Sequence, residues 1–199
     1  MEKQDRDEFL RRLLLSVEET RKTQERFFAE NRDVLREAFD EVVDVFRTGG
    51  KLLIIGNGGS AADAQHLAAE LVNRYGIDRP ALPAIALTTD TSVLTSIGND
   101  SDYRWVFSRQ IEALGKQGDL VLAITTSGNS DNVLKGIEQA KRMGIRTLAL
   151  TGGDGGRAMQ LADRTVCVSA SGRTPRIQET LLVVEHLLCE WVERCLFSS

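Results

Sequence analysis

The sequence predicts an open three-layer α/β fold, about five parallel strands in flavodoxin-like order with helices on both faces. Three observations carry this. From Lys51 onward, short apolar runs (KLLIIG, PAIAL, DLVLAIT, RTLALT and RTVCVS) alternate with helical patterns. Strand–helix alternation of this kind means parallel strands joined by right-handed crossovers. The runs are also apolar over consecutive positions, as strands covered on both faces require. Finally, three of the loops that follow them are dense in Gly, Ser, Thr and Asn, and open α/β sheets place ligands outside the carboxyl ends of their strands.

The elements follow in order. Leu10, Leu13, Leu14 and Val17, then Val34, Leu35, Ala38, Phe39, Val42, Val43 and Phe46, recur at three- and four-residue steps. They read as two helices, with Gly49-Gly50 as the stop. KLLIIG is the first strand, followed by a helix from Ser60 to Tyr75. PAIAL is the second, followed by two helical stretches across Asp90 to Leu114. DLVLAIT leads into a helix from Asn129 to Met143, and RTLALT into a short helix near Gly156. RTVCVS closes the sheet before a long helix from about Thr174 to Leu196.

Composition bounds what the chain can do. Its 199 residues are 42% hydrophobic with no break in texture, which suits one domain over residues 1–199: a helical pair over 1–50 and an α/β core over 51–199. The formal net charge of −4 argues against nucleic-acid binding, which needs clustered Lys and Arg. The first residues, MEKQDRDEFLRR, are charged, and no stretch of about 18 apolar residues occurs, so no membrane association and a cytoplasmic location are expected. Cys167, Cys189 and Cys195 are odd in number and lack a CxxC spacing, which disfavours a disulfide framework or zinc knuckle and suggests buried, inert thiols.

The Gly-rich and hydroxyl-rich loops are Gly56-Asn57-Gly58-Gly59-Ser60, Thr125-Thr126-Ser127-Gly128-Asn129-Ser130 and Thr151-Gly152-Gly153-Asp154-Gly155-Gly156. Glycines admit close approach, hydroxyls donate to phosphate oxygens, and the next helix adds free N–H groups. Any one such loop is as well explained by turn and N-cap chemistry. Two of them follow the first and third strands, neighbours at the switch point of a 2-1-3-4-5 sheet, and this favours a small-anion site. Gly56, Gly58 and Ala61 loosely match a dinucleotide fingerprint, but the expected ribose-binding acid about 20 residues on is missing; the first acid at the end of the second strand is Asp90.

His66 and His186 are the only histidines. His66 and Glu70, four apart, share a helix face with Asp63 and Asn73. That stripe is either a solvated polar face or a site able to bind one ion or one substrate oxygen, and its start at the Gly-rich loop favours the site. His186 and Gln178 lie in a helix apolar nearly all round, so His186 is either a core histidine satisfied by one hydrogen bond or a ligand. Eight residues of helix put Gln178 and His186 about 12 Å apart, too far to share an ion easily unless Gln178 lies in an irregular first turn or the two come from different chains.

GNGGSAADAQHLAAEL, RPALPAIAL, SIGND, TSGNSDNV, LTGGDGG and TPRIQE, in this order, resemble the SIS family of sugar-isomerase domains, specifically the phosphoheptose (sedoheptulose-7-phosphate) isomerases. The resemblance spans essentially the whole chain. It implies an aldose–ketose isomerase acting on sedoheptulose 7-phosphate, a homotetramer, and one zinc per subunit held by His66, Glu70, Gln178 and His186. It implies substrate contacts at Asn57, Gly58, Gly59, Glu70, Asn99, Asp100, Thr125, Thr126, Ser127, Ser130 and Gln178; Ser60, which ends the first of these loops, is added to the set. Glu70 and His186 are the expected acid–base pair. Thr125 replaces the family's usual serine, and Leu181 a frequent histidine. A non-enzymatic relative, the DnaA initiator-associating protein, lacks the acid and the late histidine that stand here as Glu70 and His186.

Overall fold

A computed structural model describes residues 3–197. Two helices, α1 (Lys3–Glu30) and α2 (Arg32–Arg47), precede the sheet. β1 (Leu52–Gly56), α3 (Gly59–Val72), β2 (Ala84–Ala86), α4 (Thr91–Asp100) and α5 (Val106–Leu114) follow, with one 3₁₀ turn at Tyr103–Trp105 between the last two. β3 (Leu120–Thr125), α6 (Asp131–Arg142), β4 (Arg146–Gly152), α7 (Gly156–Leu161), β5 (Arg164–Val168) and α8 (Thr174–Phe197) complete the chain.

The five strands are all parallel in the order β2-β1-β3-β4-β5, as the sequence predicts. Every residue of β1 and of β3 is buried, and their side chains alternate between two cores. Leu52, Ile54, Leu120, Leu122, Leu148 and Leu150 face the layer that holds α2, α3 and α8. Leu53, Ile55, Val121, Ala123 and Ala149 face α5 and α6. Burying one such leucine or isoleucine contributes about 1.5–3 kcal/mol, enough for the two faces to fix the strand register. At the opposite end, fully buried Asp119 takes the Lys51 ammonium at 2.5 Å and the Lys51 and Lys116 backbone N–H groups, tying the starts of β1 and β3 together.

Several local expectations change. The helix after β1 stops at Val72 rather than Tyr75, and Ala64, Leu67, Ala68 and Leu71 are its buried apolar face. Of the three cysteines, all free, only Cys189 is buried. On α1, Phe9, Leu10, Leu13, Leu14 and Val17 are exposed; only its second half, through Thr20, Thr23 and Phe27, packs on the body of the chain. Among the described residues no helix is long and apolar enough to cross a membrane.

Candidate active site

The loops after β1 and β3 meet at the switch point, and they are locked to each other. Asn57 and Asn132 exchange two hydrogen bonds, each 2.8 Å, so the β1–α3 loop is fixed to the start of α6. The β3–α6 loop is fixed in turn to the β4–α7 loop. Asn129 accepts from the Arg157 N–H, and a Cβ on Gly128 would stand 2.0 Å from the Gly155 carbonyl oxygen. With φ of +66° at Gly128, only glycine fits. Thr125 is buried at the end of β3, Thr126 is half-buried and Ser127 exposed, and Ser130 stands at the N-cap of α6 with its hydroxyl not used as a cap. Gly58 stands at the N-cap of α3 with φ +55°, followed by exposed Gly59 and buried Ser60. The N-termini of α3 and α6 therefore open beside the same loops, with free N–H groups suited to an anion.

The helix face of Asp63, His66 and Glu70 meets α8, with His66 exposed and Glu70 half-buried. Asp63 is buried and accepts a 2.9 Å bond from the Gln178 amide. Burial holds its carboxyl above the usual range, while the Gln178 N–H and nearby His66 pull it back. The Gln178 carboxamide also occupies the space beside Gly59, where a Cβ would lie 2.4 Å from it. One turn along α3, His66 Nε2 lies 2.9 Å from His186 Nε2 and 3.8 Å from Glu70 Oε1. Within one chain Gln178 and His186 reach different turns of α3, Gln178 bonding Asp63 and His186 meeting His66, so the two side chains do not converge on one point. Asn73, the fourth member of the expected stripe, instead caps the helix.

The donor set is two imidazoles, a carboxylate and, one turn away, a carboxamide, the chemistry a zinc ion takes. Two zinc–nitrogen bonds at tetrahedral angles hold their nitrogens about 3.3 Å apart, close to the spacing of the two Nε2 atoms. Taken alone, His, Cys, Asp and Glu form no group of three at metal-holding spacing among the described residues; Glu70 stands slightly back and Gln178 faces Asp63. His66, His186 and Glu70 fit a metal with small side-chain adjustments. Asn99 and Asp100 end α4, both exposed, with the Asn99 amide donating to Asp100 at 2.8 Å. Among the described residues neither hydrogen-bonds to the loops.

Five residues that matter here were missed from the sequence. Asn132 holds Asn57. Glu185, next to His186, is fully buried with both carboxyl oxygens unpartnered, and burial, with some help from Asp63, pushes its pKa up to about 8. Tyr75 lies against His186, ring centroids 5.7 Å apart, and Arg79 pairs with Glu193 beneath it. Acids embedded in the apolar run of the last helix were the available signal for Glu185 and Glu193.

This sheet, with hydroxyl-rich loops at its switch point and acid–base side chains on the first crossover helix, defines a sugar-isomerase type of domain. The SIS domain family model matches residues 17–152. The chain shares 55% identity over 175 residues with the phosphoheptose isomerase of Desulfovibrio desulfuricans, covering 88% of this chain and 83% of that one. Solved structures of phosphoheptose isomerases from Neisseria gonorrhoeae and Francisella tularensis superpose with TM-scores of 0.87 and 0.89 at 38% and 34% identity, each covering 93% of this chain and 98% of the other. The chain belongs to the phosphoheptose isomerase family of SIS-domain proteins.

Proposed function

We infer that this protein is an intramolecular oxidoreductase that converts sedoheptulose 7-phosphate to D-glycero-D-manno-heptose 7-phosphate, the first step toward ADP-heptose for lipopolysaccharide core synthesis. The observation that carries the reading is the meeting of Glu70, His66 and His186 beside the paired loops of β1 and β3, in a chain whose relatives are phosphoheptose isomerases. A protein-binding SIS relative without this acid and histidine is not supported.

The phosphate docks on Ser127, Ser130, Thr125 and Thr126, with the α6 N-terminus behind them. Asn57, Gly58, Gly59 and Ser60 line the facing wall, and Asn99, Asp100 and Gln178 contact the sugar hydroxyls. This places C1 and C2 toward Glu70 and His186. Glu70 removes a proton from C1, and the electrons form an enediol between C1 and C2. His186 moves a proton from O1 to O2, and C2 is then reprotonated to give the aldose. A carboxylate with a pKa near 4.3 can do this only if the developing enediolate is stabilised. Zinc held by His66, Glu70 and His186, with Gln178 as the fourth ligand once it turns from Asp63, one ion per subunit, would supply that Lewis acidity. The enzyme works as a homotetramer in the cytoplasm.

Incubating the pure protein with sedoheptulose 7-phosphate tests the activity: an aldose heptose phosphate is expected, and none would refute it. Metal analysis of protein purified without chelator is expected to show about one zinc per subunit. Full activity after exhaustive chelation, with no metal detected, would sink the zinc assignment.

A further inference from the structure

Between α3 and β2 the chain crosses Asn73–Arg79, and this crossing is built around one buried ion pair. The Arg79 and Glu193 side chains are only 1% and 6% exposed, with Nε 3.1 Å from Oε1. Glu193 also accepts the backbone N–H groups of Tyr75, Gly76 and Ile77, at 3.0, 2.9 and 3.2 Å. Arg79 donates to the carbonyls of Glu70 and Leu71, at 2.8 and 2.6 Å. Those carbonyls end α3 and have no partner within the helix, and a cation there complements the helix dipole. A buried ion pair is weak evidence for stability, since desolvation offsets the attraction; what it can provide is one defined arrangement. Here the defined parts are the backbone of Glu70 and the loop that lays the Tyr75 ring, inclined at 37°, against His186.

We propose that Arg79 and Glu193 are positioning residues of the isomerase site, clamping the end of α3 that carries Glu70 and holding Tyr75 against the His186 imidazole so that the ring keeps one orientation. This rests on the reading that Glu70 and His186 exchange protons with the substrate. The clamp touches no substrate; it acts through Tyr75 and the α3 terminus.

With only two histidines in the chain, imidazole NMR of the full-length protein reports on His186 directly. Tyr75→Ala is expected to shift the His186 ring resonances and to lower kcat about 10-fold or more with KM nearly unchanged, as misplacement of an acid–base group does. Tyr75→Phe should restore both. Arg79→Lys keeps the charge but cannot bond Glu193 and both carbonyls together, and should move the same resonances in the same direction. Tyr75 is more than a third exposed, so its truncation does not endanger the fold. Unshifted His186 resonances in Tyr75→Ala would by themselves overturn the proposal, as would wild-type resonances and kcat in folded Arg79→Lys. A wild-type protein inactive on sedoheptulose 7-phosphate would refute the functional reading instead, while the resonances still judged the clamp.

Discussion

Glu70 and His186 stand far apart in sequence and meet across α3 and α8 only through His66. Their roles predict a specific failure. Glu70→Gln and His186→Asn should each lower turnover by about 100-fold or more, as loss of a general acid–base group does, with circular dichroism and melting temperature preserved. Near-normal turnover in either folded variant would remove that residue from the mechanism. The pairing of His66 with Glu70 was legible in the sequence because four residues return a helix to the same face. The 2.9 Å approach of His186 was not, because it depends on how α8 crosses α3. The burial of Asp63 was hidden for the same reason: its cover comes from Gln178, more than a hundred residues later.

At the scale of elements, the strands were the most legible part of the chain. Leu52–Gly56 and Leu120–Thr125 are buried on both faces, so their apolar runs are unbroken and their order follows from crossover handedness. The end of α3 was misjudged because Asn73, Arg74 and Tyr75 continue a helical pattern locally, whereas the Arg79–Glu193 pair draws the backbone away. That pair gives α3 a pH-dependent anchor. Burial raises the Glu193 carboxyl, but the N–H groups of Tyr75, Gly76 and Ile77 together with Arg79 outweigh it and hold it below the usual range. A depressed carboxylate contributes stability above its unfolded pKa and loses it as pH falls through the folded value. Melting temperature should therefore drop on acidification below about pH 4.3, less steeply in Glu193→Gln. Glu193→Ala at neutral pH should cost about 3–5 kcal/mol in denaturant unfolding, because Arg79 is left buried and unpaired. Equal acid slopes for wild type and Glu193→Gln would exclude this anchor.

The whole molecule leaves apolar surface that the sheet does not cover. Phe9, Leu10, Leu13, Leu14 and Val17 share the outer half of α1, and exposed apolar surface of this extent points to self-association, for which closed symmetry is the usual outcome. Light scattering should give a mass near four subunits, and Leu10→Glu with Leu14→Glu should reduce it; a fully active monomer would refute the assembly. Because one chain brings His66, Glu70 and His186 together, mixing inactive Glu70→Gln with inactive His186→Asn chains should restore no activity. Recovery in confirmed mixed tetramers would show that the acid–base pair is shared between subunits.

The central claim is that this site moves a proton between C1 and C2 of a ketose phosphate through an enediol. It is tested most directly by running sedoheptulose 7-phosphate with the pure protein in deuterated water and reading the product by NMR. The account predicts an aldose heptose phosphate, carrying deuterium at C2 to the extent that Glu70 exchanges its proton with water, formed by the wild type and at least about 100-fold more slowly by Glu70→Gln. Turnover undiminished in Glu70→Gln would contradict it, whatever hydrogen the product carries at C2, because a proton that Glu70 returns before exchange with water stays hydrogen.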